Sequence, residues 1–156
     1  MMGEHRAEIE AEIRGRGIAI TSCGQPCPEE RIADAERQLS QALPAALRRL
    51  YSAFDGFRGP TNAAFLWPLF GDNGLVRFNL LGRRDPWAPS WHGRVILFGD
   101  NGVGDYWGLP VSDPAGVMEW RPIDGEAFSI AGASILEVWE RAQRQYYAAC
   151  RPVDRS

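Results

Sequence analysis

Ile96-Leu97-Phe98-Gly99-Asp100-Asn101-Gly102-Val103-Gly104-Asp105-Tyr106-Trp107 sets an apolar run against an aromatic one across a loop of glycines and acids. A calcium-binding EF-hand loop needs oxygen ligands at alternate positions and a distal Glu, and the spacing here does not fit it. A phosphate loop needs a following Lys-Ser/Thr and then a helix, whereas the residues after Gly104 have strand character. An anion held by backbone N–H groups is the one ligand reading the glycines leave open. The structural reading is a reversal between two strands, since both residues of Asn-Gly accept positive φ. Phe-Gly-Asp-Asn-Gly also occurs at Phe70 to Gly74, with flanks that do not match. Two similar turns, rather than a duplicated unit, are expected.

Outward from this stretch, Ala64 to Phe70, Val76 to Leu81, Val95 to Phe98, Tyr106 to Val111 and Val117 to Arg121 are short β-branched or aromatic runs. Each is bounded by Gly, Pro, Asn or Asp, and each reads as a strand. Pro68 demotes the first to an edge strand or a bulge. Gly82 to Gly93 reads as a long loop. Before the strands the period is helical. Glu4 to Arg16 places Ile9 and Ile13 four apart and is stopped by glycines. Ile18 to Cys27 reads as a linker with a short strand at Ile18 to Thr21. Pro28 followed by Glu29 and Glu30 opens a second helix, with proline at the first position and acids at the positive end of the dipole. Pro44 opens a third, whose Leu47, Leu50, Tyr51 and Phe54 form one apolar stripe. Ile135, Trp139, Ala142 and Tyr146 share a face of a last helix over Ala133 to Ala149.

Helices, then strands, then one helix is an α+β order. The short connections make the sheet mainly antiparallel. The expectation is a single domain with a twisted sheet of about five to six strands, N-terminal helices and a C-terminal helix packed against it. The chain divides into an N-terminal helix and linker (1–27), the domain proper (28–150) and a tail (151–156).

The chain has 156 residues, 45% hydrophobic and 24% charged, with net charge −3. That length buries enough surface for a core without disulfides or metals. No apolar run reaches the roughly 18 residues of a membrane span, and the polar, acidic start lacks the layout of a secretory signal. A cytoplasmic protein is expected. All 17 basic residues are Arg, a bias that a GC-rich genome produces. They form no basic stripe, so nucleic acid is not expected as a direct ligand. Cys23, Cys27 and Cys150 lack the paired spacing of a zinc site, and His5 and His92 do not complete one. No metal and no cofactor are expected, and the thiols read as free in a reducing compartment.

Nucleophilic catalysis requires Ser or Cys with His and a carboxylate. His92, between Trp91 and Gly93, has Ser90 and Asp100 near it in sequence but no nucleophile elbow. It reads as a surface or hydrogen-bonded structural histidine. The aromatics are a richer signal. Trp107, Trp120 and Trp139 are expected in or beside the sheet. Trp87 and Trp91, in the loop, have two open readings: exposed interface anchors, or a lid folded back on the core.

These motifs resemble the SUKH superfamily, which includes fungal Smi/Knr-type regulators of cell-wall assembly and many bacterial immunity proteins. Ile96 to Trp107 is similar to its central "FG-(S/D)-(D/N)-G-x-G-D-x-(Y/W)" hallmark. Leu43-Pro44 opening a helix that ends in Phe54-Asp55-Gly56 resembles its "LP…NG" element, with Asp55 in place of the usual Asn. Val117 to Trp120 resembles the next strand, and Ser129-Ile130-Ala131 its closing segment. The resemblance spans roughly Glu29 to Tyr147. It implies a non-catalytic immunity protein that neutralises a cognate toxin by binding it, many such toxins being nucleases or deaminases with basic clefts. An acidic surface speeds association with such a target. Asp72, Asp85, Asp100, Asp105 and Asp113, with Trp87 and Trp91 as apolar anchors, are the expected contact residues. Asp105 has a second reading as a structural cap of its own turn. A regulatory scaffold and a small-molecule binder are the alternative functions. The oligomeric state stays open, because an exposed strand edge can pair with another copy or with the toxin.

Overall fold

The computed structural model describes residues 2–60, 62–112 and 116–150. Among them, five α-helices and seven strands form one α+β domain. The order is α1 (Met2–Gly15), β1 (Ser22–Cys23), α2 (Glu29–Leu39), α3 (Ala45–Ala53), β2 (Phe57–Arg58) and β3 (Ala64–Leu66). There follow α4 (Leu75–Arg84), β4 (Val95–Asp100), β5 (Tyr106–Pro110), β6 (Val117–Trp120), β7 (Phe128–Gly132) and α5 (Ile135–Ala149). Every pairing is antiparallel. The strands divide into a sheet β1-β2-β3 and a sheet β4-β5-β6-β7. The two meet where the Trp67 backbone N–H donates to the carbonyl of Phe98 at 2.8 Å.

The helix starts follow their local chemistry. Pro28 and Pro44 occupy the N-cap positions of α2 and α3, with Glu29 and Glu30 in the first turn of α2. Ser134 caps α5 by accepting from the Glu137 N–H, which satisfies one of the four unpaired donors at a helix start. Arg48 of α3 reaches Glu36 at 2.7 Å and Glu29 at 2.8 Å on α2, locking the helical pair. The Glu36 carboxyl is held below its ordinary range, chiefly by the hydrogen bond from Arg48.

The main core lies between the helices and the sheets. Ile9 and Ile13 of α1, Leu47 and Tyr51 of α3, and Trp139 of α5 are fully buried there, with Phe57, Phe65, Ile96, Phe98 and Trp107 from the strands. Trp139 stacks on Phe57, with centroids 4.8 Å apart, and on Phe65 at 5.5 Å. Such ring pairs add to the burial of area itself. A smaller cluster (Trp67, Trp91, Val95, Leu97 and Met118) covers the opposite face of β4 and β6, as the alternation of strand side chains requires.

Three local expectations are corrected. Val76 to Leu81 is helix, the middle of α4, not strand. Its buried side chains Leu75, Val76 and Asn79 share one helical face. Asn79 is completely buried and lies against β4. Its Nδ2 donates to the Leu97 carbonyl at 2.8 Å, and its Oδ1 accepts from the Leu97 N–H at 3.0 Å. The short strand expected at Ile18 to Thr21 forms instead at Ser22–Cys23 and pairs with Arg58 and Phe57. The two Phe-Gly-Asp-Asn-Gly segments are not similar turns. In the first, Gly71 takes positive φ (+104°) and Gly74 caps α4; in the second, Phe98 to Asp100 are strand and the positive φ falls on Gly102 (+83°).

A cleft between the two sheets as candidate functional site

The β4–β5 connection is held by its own side chains. Asp100 Oδ1 accepts from the Gly102 N–H at 2.9 Å, and Asn101 Oδ1 accepts from the N–H groups of Val103 and Asp105. These are local side-chain turns of the kind Asn and Asp favour. Positive φ falls on Gly102 and Gly104, and Asn101 stays at negative φ, so the loop is not the two-residue Asn-Gly reversal. It lifts Val103, 80% exposed, to the tip of the hairpin.

At the base of this hairpin a cleft of about 630 Å³ opens between the two sheets. That lies within the roughly 300–1,000 Å³ range of ligand clefts. Its walls come from β1 and the glycine after it (Cys23, Gly24), from β2 (Phe57, Arg58), from Asp55 beyond the end of α3, from β3 and its continuation (Leu66, Trp67), from α4 (Phe78), and from Asp100 and Tyr106. Trp67, Phe78 and Tyr106 cluster with centroids 4.5 to 6.0 Å apart.

Two carboxylates face the cleft in different states. Asp55 pairs with Arg31 at 3.2 Å and accepts the Leu69 N–H at 2.9 Å. Asp100 accepts only neutral donors: Trp67 Nε1–H at 2.9 Å, the Gly102 N–H, and the Ala64 N–H at 3.4 Å. Among the described residues it belongs to no ion pair. The Cys27 thiol, buried behind Asp55, is pushed up to about 12, first by burial and then by the Asp55 carboxylate. It stays protonated in the folded protein.

The expected contact residues do not form one patch. Asp100 lines the cleft. Asp72, its side chain 93% exposed and 3.5 Å from Arg77, lies next to Asn73 of the cleft wall. Asp85 and Trp87 are exposed on the loop after α4, where Asp85 Oδ1 accepts the Trp87 N–H. The two tryptophans of that loop separate: Trp87 is 90% exposed, whereas Trp91 is 7% exposed. Trp91 donates its indole N–H to the Glu126 carbonyl and meets Trp120 edge-on at 5.2 Å. Trp91 as a displayed anchor is therefore corrected, because its ring is committed to the smaller core. Asp105 is 6% exposed, paired with Arg121 at 3.1 Å and accepting from Asn101 Nδ2. It ties the hairpin to the end of β6. Asp113 lies outside the described residues.

The His92 ring is neither at the surface nor hydrogen-bonded. It is 3% exposed, and neither ring nitrogen has a partner. Burial, and then the nearby Arg83 guanidinium, hold its pKa below the ordinary 6.5. Sequence reasoning missed Asp55, Trp67 and Phe78 as wall residues. Nothing in their local spacing marks them, because the cleft arises where two sheets meet. No cluster of His, Cys, Asp and Glu suited to a metal occurs among the described residues. No described helix is long and apolar enough to cross a membrane.

Of known proteins, the model of the SMI1 / KNR4 family (SUKH-1) matches residues 26–140. That span runs from just before α2 into α5 and contains most of the cleft wall. No curated protein matches the chain.

Proposed function

This chain belongs to the SMI1/KNR4 family (SUKH-1), and from that premise we propose that it works by binding another protein, as an immunity protein that neutralises a cognate toxin. Family membership is consistent with an immunity role and with a Smi/Knr-type regulatory role. The observation that carries the binding reading is the character of the cleft. It offers aromatic faces and a carboxylate without a cationic partner, held in place by backbone and indole N–H groups. The chain's one internal histidine is buried apart from it, its ring nitrogens without partners among the described residues. Among the described residues of the cleft wall, Ser22 and Cys23 have no histidine beside them, which supports recognition over nucleophilic catalysis. Beside the cleft, the exposed Asp72 and the hairpin tip Val103 add acidic and apolar projections of the kind from which a protein interface is assembled.

Co-expression with the open reading frame beside this gene tests the proposal. The expected result is a neighbour that arrests growth alone and does not when this chain is present, with the two proteins co-purifying. A harmless neighbour, or one that stays toxic in the presence of this chain, overturns the immunity reading for that pair. Recovery of endogenous wall-synthesis enzymes instead would place the chain with the regulatory scaffolds.

A further inference from the structure

Among the described residues, no cation pairs with Asp100 or lies over the three clustered rings of the cleft. Trp67 and Phe78 lie 4.5 Å apart, Phe78 and Tyr106 5.3 Å, and Trp67 and Tyr106 6.0 Å. The negative faces of such rings attract a cation within about 6 Å. Beside them stands Asp100, whose two oxygens accept from three neutral N–H donors. An ionised carboxylate has about four acceptor positions, so one remains. The neighbouring acids are already matched, Asp55 with Arg31 and Asp105 with Arg121. The cation–π contacts among the described residues lie elsewhere, Arg6 over Phe54 and Arg31 over Phe70. Arg58 lines the cleft, yet among the described residues it sits over none of the three rings and pairs with no acid.

We propose that this cleft receives an arginine side chain of the partner protein, the guanidinium packing on the half-buried faces of Phe78 and Tyr106, which the buried Trp67 backs, and donating to Asp100. The inference rests on the partner-binding reading above and specifies its chemistry. Three observations converge: a half-buried carboxylate without a counter-ion, three clustered rings, and a cleft with room for a long side chain. Guanidinium fits them better than ammonium does. It is planar, stacks on aromatic faces, donates through a fork, and is more weakly hydrated. Asp100 is also pre-organised, because the donors that hold it are backbone and indole groups with little freedom to move. An incoming donor therefore meets an oxygen already in position.

The test is a titration followed by NMR at the Trp67 indole N–H, which is bonded to Asp100. The probes are N-acetyl-arginine amide, its neutral citrulline counterpart, and N-acetyl-lysine amide, each added to the full chain. The arginine compound is expected to shift the Trp67 signal saturably, with affinity at least about tenfold above citrulline and with lysine between them. Asp100→Asn keeps one acceptor oxygen, for the Gly102 and Ala64 N–H groups, at the cost of the bond from the Trp67 indole, and removes the charge; about a tenfold loss of affinity is expected. Tyr106→Leu keeps the charge and removes a ring face, and should also weaken binding. The Trp139 indole, in the main core, reports whether each variant is folded, and Tyr106→Leu decides the matter if Asp100→Asn is not. An unmoved Trp67 signal, an equal response to citrulline, or full binding by folded Asp100→Asn or Tyr106→Leu overturns the proposal. If the chain still neutralises its neighbour in cells while the arginine compound does not bind, only the arginine inference falls. Failure of that cellular protection strikes the immunity reading instead.

Discussion

Replacing Asn79 by leucine tests how α4 is held to the sheet. The Leu97 N–H and carbonyl point away from β5 toward α4, where no strand pairs with them. The Asn79 amide completes both bonds, at 3.0 and 2.8 Å, and donates to its own helix at Leu75 as well. It thus substitutes for a strand partner at one residue of β4. Leucine keeps the branched heavy-atom skeleton but is bulkier, and it leaves both Leu97 groups buried without partners. Each such group costs about 1–3 kcal/mol, so the pair costs about 2–6 kcal/mol. The added apolar surface returns about 1–2 kcal/mol, which the strain of the extra bulk, about 1–3 kcal/mol, cancels. A net loss of about 2–6 kcal/mol is expected, which for a chain of this length lowers Tm by about 4–24 °C. Urea unfolding and calorimetry measure it. Asn79→Asp provides the contrast. At neutral pH its carboxylate accepts from the Leu97 N–H but opposes the Leu75 and Leu97 carbonyls, so it should be the less stable variant. Burial raises the folded pKa of such an acid above its unfolded value. The deficit should therefore shrink as the pH falls and the acid regains a proton to donate. A loss under about 1 kcal/mol for Asn79→Leu, outside the range above for two unpaired buried groups, would refute the reasoning.

His92, neutral and depressed below 6.5 by burial and by Arg83, makes stability depend on pH. Below the unfolded value the unfolded chain takes a proton that the folded ring refuses, so stability present above about pH 6.5 is lost as the pH falls toward the folded pKa. Urea midpoints from pH 7.5 to 5.5 should fall in the native protein and stay flatter in His92→Phe; equal slopes would discard this account. Cys27, with its thiol near 12 and its side chain buried, should react with a disulfide reagent only on unfolding, whereas the exposed Cys150 reacts at once. Mass spectrometry of the labelled peptides distinguishes them, and rapid native labelling of Cys27 would contradict the burial. Trp91→Ala should cost about 3–5 kcal/mol as a core truncation. Trp87→Ala should change stability by no more than about 0.5 kcal/mol, and any effect it has should appear in partner affinity. Similar losses in unfolding experiments for the two variants would contradict the separation of these side chains.

The elements legible in the sequence are those whose signal is local. Pro28 with two glutamates, Pro44 with its apolar stripe, and the Ile135–Trp139 face announce α2, α3 and α5, while the β-branched and aromatic runs announce β4, β5 and β6. The missed elements lack such a signal for physical reasons. α4 reads as a strand because the residue completing its buried face is Asn79, a polar side chain whose partners are 18 residues away in β4. β1 and β2 have two residues each, too few to show any period. β7 exposes Phe128, Ser129 and Ile130 in succession, so no alternation marks it. The loop tryptophans show the same limit at the site. Trp87 and Trp91 have similar neighbours in sequence, and the Glu126 carbonyl, 35 residues from Trp91, decides which is buried. Asp100 was legible only as a candidate; its place in the cleft wall and its unpaired state were not, because those depend on where the two sheets meet and on which acids Arg31 and Arg121 reach.

The glycines of the central motif connect its two roles. A Cβ on Gly99 would lie 2.4 Å from the Phe65 carbonyl oxygen, and one on Gly102 would lie 2.9 Å from the Ala63 nitrogen. Both positions therefore admit the β3 segment against the end of β4 at a distance that a side chain forbids. That close approach brings the Trp67 N–H to the Phe98 carbonyl and the Trp67 indole to Asp100. The same contact that joins the two sheets thus places an aromatic wall beside the carboxylate. Gly99→Ala should open the junction between the sheets and loosen the Trp67–Asp100 bond together, because one backbone approach sustains both. The motif that identifies the fold is in this way also one side of the cleft.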